Sequence, residues 1–181
     1  MPTAAEAELL TAASGPVALC GFGLAAAGAG AAHAIAFHAP ARVILVGCAG
    51  SYDLERAPIG SVVVASAVRC EGIGVGQLSA AELGWAASDQ IELDGDGGLV
   101  LSVASASATV EEAASRQSKH PAAVAEEMEG YAVAVAATLA EVPLTVVRGI
   151  SNQAGDRDKT AWRMAEALAA AGDVVATMRG R

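Results

Sequence analysis

The chemistry open to this chain is concentrated in three short polar stretches. "GCAGSYD" (47–53), "EEMEGY" (126–131) and "GISNQAGDRD" (149–158) interrupt sequence that is otherwise mostly alanine, valine and glycine. The third is the densest: Ser151, Asn152, Asp156, Arg157 and Asp158 directly follow the apolar run "VPLTVVR". Carboxylates can move protons or hold hydroxyls, an asparagine amide can donate and accept together, and a Gly-containing turn lets a ligand approach backbone. Each of these residues also has a plain structural use. Glu6, in "TAAEAELL", reads as a solvated helix glutamate. Glu129 reads as favourable negative charge at a helix N-terminus. Asp156 suits a turn or a cap, and Arg157 with Asp158 a surface ion pair of little energetic value.

Other chemistries lack their residues. His33 and His38 are five apart and do not share a helix face, and His120 precedes Pro121 in a loop, so the histidines have no metal-ligand spacing. "DGDGG" (94–98) lacks the spaced ligands and final glutamate of a calcium loop and reads as a solvated turn. Gly21, Gly23 and Ala26 make a G-x-G-x-x-A pattern, but the next strand ends "VGCAG" without the acid that a dinucleotide ribose requires. Close packing of helix on strand accounts for those glycines. Cys20, Cys48 and Cys70 have no C-x-x-C pairing and read as buried thiols in a reducing cytoplasm.

The elements that must position the polar stretches follow from periodicity. The 181 residues suit one domain spanning 1–181, and 54% hydrophobic against 17% charged residues argues for a packed core built largely of alanine. A net charge of −9 argues against a nucleic-acid partner. The opening "MPTAAEAELL" has no basic region and is not a signal peptide. The long apolar region from Phe22 to Gly50 is broken by His33, His38, Pro40 and Arg42, so it reads as a helix and a strand rather than a membrane span.

Helices are expected over 3–13, 24–37, 109–118 and 129–141. A last helix is expected from about 158, with Ala161, Ala165 and Leu168 on one face. Strands are expected at 16–20, 42–50, 59–70, 99–105, 122–126 and 144–151, with an irregular segment over 71–98. Strands alternating with helices predict an α/β domain with a largely parallel or mixed sheet. Sites in such folds gather at the carboxyl ends of strands, which is where the three polar stretches fall.

"GCAG", "IGSVVVAS", "AVAEEMEGYAVA" and "VVRGISNQAGDRD", in that order, resemble the purine nucleoside phosphorylase and methylthioadenosine/adenosylhomocysteine nucleosidase superfamily. Within it the "MEG" glutamate, "GISN" with asparagine, "GDRD" continuing to Trp162 and "AAELGW" (80–85) resemble the futalosine hydrolases, nucleosidases of menaquinone biosynthesis. The resemblance implies a three-layer α/β/α sandwich around a mixed sheet, a cytoplasmic homo-oligomer (dimer or larger), and no metal or organic cofactor. It implies cleavage of an N-glycosidic bond of a small-molecule nucleoside, futalosine giving hypoxanthine and dehypoxanthine futalosine. Glu6 matches the water-activating glutamate and Glu129 the one that accepts from the ribose hydroxyls. Met128 would pack against the sugar. Ala49 and Gly50 match the turn that admits the ligand, and Ser151 lies in the matching "GISN".

Asn152 replaces the aspartate of the adenine-specific nucleosidases. Its amide can donate to purine N7 and a 6-oxo oxygen, which favours hypoxanthine over adenine. Asp156 is then a candidate proton donor, and Arg69 or Lys119 a candidate partner for the substrate's benzoate. Such proteins open with an apolar strand before the Glu6 segment and carry a hairpin after the first helix. This sequence starts almost at the glutamate and has few residues between "AELL" and "PVALC", so the expectation is either a start that lies further upstream or a sheet shortened at its N-terminus. A purine nucleoside phosphorylase, whose phosphate site would draw on Arg69 or Arg148, a methylthioadenosine/adenosylhomocysteine-type nucleosidase and a non-catalytic purine-binding relative are the alternatives.

Overall fold

The computed structural model describes residues 1–10, 16–76, 78–85 and 88–179. Among these, five helices and nine strands alternate. The helices are α1 (Ala4–Leu9), α2 (Leu24–His38), α3 (Val110–Lys119), α4 (Gly130–Leu139) and α5 (Met164–Arg179). The strands are β1 (Val43–Ser51), β2 (Val62–Val64), β3 (Ala67–Cys70), β4 (Gly74–Val75), β5 (Leu78–Ser79), β6 (Gln90–Glu92), β7 (Leu99–Ser102), β8 (Ala123–Glu127) and β9 (Leu144–Gln153). Seven strands form a mixed sheet in the order β2-β9-β1-β8-β7-β3-β6, and β4 with β5 makes a separate hairpin. The predicted α/β/α layering with a mixed sheet is what forms.

Side-chain alternation in the central strands builds a core on each face of the sheet. Leu45 and Ala49 of β1, with Val146 and Ile150 of β9, pack against Ala27, Ala31 and Ile35 of α2 and Val133 and Ala137 of α4. Their neighbours Val46 and Val147 face the other way, against Leu168, Ala171 and Val175 of α5. Period-two alternation sends successive residues to opposite faces, and burying each Val, Leu or Ile is worth about 1.5–3 kcal/mol. Small residues let the helix layers close tightly: a β-carbon built on Gly28 of α2 would lie 3.5 Å from Ala132 Cβ of α4.

The expected strand 59–70 is two strands, because the sheet curls. β2 pairs antiparallel with β9, whereas β3 pairs with β7 and β6. Between them Ala65 N–H donates to Val146 O and Ser66 N–H to Gly98 O, so the chain changes partner within two residues. Consecutive residues therefore serve nearly opposite ends of the strand order, which only a curled sheet permits. The glycines of "DGDGG" allow it: β-carbons on Gly95 or Gly97 would run into the Val64 backbone. Asp94 and Asp96 stay exposed there, as a solvated turn requires.

Other element boundaries also move. Residues 16–20 form no regular strand; Cys20 N–H donates to Met1 O at 2.8 Å and the Met1 amino group to Ala18 O at 2.8 Å. The last helix begins at Met164 rather than 158, because Asp158 spends its carboxylate on Thr160 in a turn. The inward face of that helix is accordingly Ala167, Leu168, Ala171 and Val175, and Ala161 and Ala165 are exposed. The predicted first helix ends at Leu9, and its residues 11–13 lie outside the described ones. The 71–98 segment carries β4, β5 and β6. No helix among the described residues is long and apolar enough to cross a membrane.

Candidate active site

Glu6 is fixed by its own helix start. "TAAE" forms a capping box: Thr3 Oγ1 accepts from Glu6 N–H, and Glu6 Oε2 accepts from Thr3 N–H at 3.1 Å and Thr3 Oγ1–H at 2.7 Å. The other oxygen, Oε1, accepts Cys48 N–H of β1 at 3.1 Å. The side chain is 7% exposed, so it is a buried carboxylate tied to a strand rather than a solvated helix glutamate.

Arg148 lies in the middle of β9, fully buried. A lone guanidinium could not be buried there, and two acids from the β8–α4 segment meet it. Its Nη2 donates to Glu127 Oε2 and, at 3.3 Å, to Glu129 Oε2. Its Nε and Nη1 have no partner among the described residues. A β-carbon on Gly47 would overlap Nη1 and come within 2.9 Å of Glu6 Oε1. Gly47 is therefore the gap across which the free edge of Arg148 and the Glu6 carboxylate meet.

Glu127 organises this centre. It accepts from Ser102 Oγ, from Glu129 N–H at 2.9 Å and from Gly130 N–H at 2.7 Å, and so caps α4. That leaves Glu129, at the cap position itself, free of capping duty. Glu129 Oε1 accepts Gly23 N–H at 3.1 Å, so the glycine turn before α2 serves a carboxylate. Burial pushes the Glu129 carboxyl above its ordinary value, with Arg148 opposing. Conversely, Glu127, Glu129 and Glu6 hold the Arg148 guanidinium charged against the burial that disfavours it. The preceding Glu126 points to the opposite side of β8, where it binds Ser107, Tyr52 and Arg116 and locks α3 to the sheet.

A β-bulge brings up the amide. β1 and β9 pair in register from Val43↔Leu144 to Ala49↔Ile150, then Gly50 pairs with Asn152, so Ser151 is the extra residue. A bulge of this kind re-aims a side chain at a strand end. Ser151 Oγ–H donates to Asn152 Oδ1 at 2.8 Å, and Asn152 Nδ2 donates to Gln153 O at 2.7 Å. One amide N–H remains for something else. Gly50 is needed where the chains crowd, since its β-carbon would lie 3.2 Å from Ala154 Cα.

Glu6 and Glu129 thus meet around Arg148 beside the middle of β1, whereas Ala49, Gly50, Ser151 and Asn152 lie further along, where the paired strands β1 and β9 end. Met128 is half-buried and packs against the cluster of Ala67, Leu99, Leu101 and Val103. Asp156 lies beyond β9; its Oδ1 accepts Asp158 N–H at 2.9 Å and its carbonyl accepts Trp162 Nε1–H at 3.1 Å. Arg157 lies over the Trp162 ring, 5.0 Å from its centroid, rather than pairing with Asp158. An apolar cavity of about 610 Å³ beside Val43–Val46 holds no carboxylate and lies at the other end of β1. No metal-binding group of His, Cys, Asp and Glu occurs among the described residues.

Sequence reasoning did not assign Glu127, and it raised Arg148 only as a cation for phosphate. The available signal was an arginine inside the apolar strand "LTVVRGIS", which can be buried only with acids beside it.

Known proteins resemble this chain in sequence and in fold. The futalosine hydrolase of Streptomyces coelicolor is 37% identical over 148 residues, covering 74% of this chain and 63% of that protein. The futalosine hydrolase of Acidothermus cellulolyticus is 37% identical over 147 residues, covering 70% and 59%. The chain therefore spans about three-fifths of the length of the curated relatives it matches. The fold is that of the methylthioadenosine/adenosylhomocysteine nucleosidase of Colwellia psychrerythraea, solved with adenine, at a TM-score of 0.78 and 23% identity over 90% of this chain and 76% of that one. The phosphorylase superfamily model matches residues 6–179, from the capping-box glutamate to the end of α5, and the chain belongs to that superfamily.

Proposed function

We propose that this chain is a nucleosidase that hydrolyses the N-glycosidic bond of a 6-oxopurine nucleoside, with futalosine as substrate and hypoxanthine and dehypoxanthine futalosine as products. The observation that carries this reading is the free edge of buried Arg148, poised between the carboxylates of Glu6 and Glu129. Cleavage of a ribosyl–purine bond passes through a cationic, oxocarbenium-like sugar, which carboxylates stabilise. Glu129 accepts from the ribose hydroxyls. Arg148 Nη1 and Glu6 Oε1 hold the water. Glu6 takes a proton from that water as its oxygen bonds to the anomeric carbon, and the carbon–nitrogen bond breaks toward the purine. The departing base takes up a proton, for which Asp156 is the proposed donor.

Asn152 supports the 6-oxo assignment. Its Oδ1 already accepts from Ser151 and one amide N–H is left over, a donor that suits N7 or O6. A phosphorylase needs cations for phosphate. Arg148 is shared among three carboxylates, and Arg69 is bound to Asp89 at 2.7 Å, which also occupies the first candidate partner for a benzoate. Water is thereby favoured as nucleophile.

Purified protein with futalosine, with and without phosphate, tests the proposal. Hypoxanthine release without phosphate is expected. Release only with phosphate makes it a phosphorylase, and adenine release from methylthioadenosine alone makes it an adenine nucleosidase. Retained hypoxanthine binding without turnover makes it a non-catalytic relative.

A further inference from the structure

Glu126 is buried near the end of β8, 4% exposed, on the side away from Arg148. Its carboxylate holds four donors from three segments. Oε1 accepts Ser107 N–H at 2.8 Å. Oε2 accepts Ser107 Oγ–H at 2.7 Å, Tyr52 O–H at 2.8 Å and Arg116 Nη1–H at 2.9 Å. Arg116 Nη1 also donates to Ser107 Oγ at 2.7 Å, which closes the network. Burial, and then the Glu126 charge, push the Tyr52 hydroxyl above its ordinary value, so it stays a donor. Two carboxylate oxygens offer about four acceptor sites, so none is left for a ligand. Burying a carboxylate is costly even when it is paired, and an apolar residue would fill this end of β8. What the carboxylate adds is the joining of Tyr52, Ser107 and Arg116 at one point.

The joined segments enclose part of the site. Tyr52 belongs to the turn after β1, and Ser107 to the turn between β7 and α3. The residues directly after Asn152 run between these two turns. On one side Ala154 N–H donates to Ser51 O at 2.7 Å, and Gly50 pairs with Glu126 itself across β1 and β8. On the other side a β-carbon on Gly155 would overlap Thr109 O, two residues beyond Ser107. The hydrogen bonds of the Asn152 side chain go only to its sequence neighbours Ser151 and Gln153. The amide therefore moves with its own backbone, and its place in the fold is set by what holds that backbone from either side.

We propose that Glu126 is a positioning residue for the base pocket. It fixes both walls of the segment that carries Asn152, and so the place where the Asn152 amide meets a purine. The proposal rests on the reading of Asn152 as a donor to the base. Glu126 itself touches no substrate; it acts through the turns at 50–52 and 107–109.

Tyr52→Phe tests this, because it removes one hydroxyl and keeps the ring. Hydrogen exchange at Ala154 N–H should speed up about 3- to 10-fold, although the Tyr52 hydroxyl is not bonded to it. Calorimetry with hypoxanthine should show a comparable loss of affinity in Tyr52→Phe and a larger one in Glu126→Gln, whose amide turns one acceptor into a donor facing other donors. With Asn152→Ala in place, Tyr52→Phe should cause no further loss, since the group it acts through is gone. A merely structural role would weaken binding equally with and without Asn152. Wild-type exchange at Ala154 in Tyr52→Phe overturns the proposal. So does wild-type affinity in that variant, or an equal loss in the Asn152→Ala background. Failure of the Asn152 reading looks different: the wild type then binds no hypoxanthine, or Asn152→Ala binds it as tightly, and the proposal falls with that reading.

Discussion

Replacing Arg148 by methionine tests the electrostatic design of the site most directly. The methionine roughly fills the volume, so the main loss is the charge that faces Glu127, Glu129 and Glu6. Glu127 and Glu129 are 5% and 4% exposed, and water cannot replace the guanidinium there. Removing one partner of a buried ion pair costs about 3–5 kcal/mol, well above the 0–1 kcal/mol of an exposed pair. Denaturant unfolding at neutral pH should show that loss. Adding Glu127→Gln should recover part of it, with a coupling of about 1–3 kcal/mol. The pH dependence has a definite sign. Arg148 holds the Glu129 carboxyl down against burial, so in Arg148→Met that carboxyl rises further. A carboxyl whose folded-state value is raised loses nothing while protonated in both states, below its ordinary value of 4.5. The penalty then accumulates as pH rises from there through the raised folded-state value. A loss at neutral pH below about 1 kcal/mol, or one independent of pH, would refute the idea that Arg148 compensates these acids.

Three further outcomes follow from the same geometry. Glu6→Gln should lower turnover by about 10²-fold or more while binding persists, and near-normal single-turnover rates would remove Glu6 from the base role. Asn152→Asp should move preference toward 6-aminopurine nucleosides, read as the ratio of kcat/KM for matched 6-oxo and 6-amino substrates; an unchanged ratio would end the reading of the amide. In the wild type the rising limb of kcat/KM should lie above pH 4.5, because Glu129 must ionise to accept from ribose and burial raises its carboxyl. Glu129→Gln should raise KM and abolish that limb, and a limb that persists must be assigned to another group.

The sequence by itself determined the kinds of element and the kinds of chemistry. Alternating apolar runs give strands and helices from local periodicity, and that part of the reading holds over β1, β7, β8, β9 and α2 through α4. Charged residues placed after strands mark where a site can form, because strand ends are where side chains leave the core. Only the tertiary structure decided which of them meet. Glu6 reaches a strand 42 residues away, and Arg148 finds its acids 19 and 21 residues back. A buried charge must be paired, but the partner is chosen by strand order, which periodicity does not encode. The bulge at Ser151 and the curl that splits 59–70 are likewise properties of pairing between strands. Glu127 shows the difference most clearly. In the sequence it is one of three glutamates in "EEMEG"; in the fold it caps α4 while sharing Arg148 with Glu129, because β8 turns Glu126 away and Glu127 takes the α4 amides.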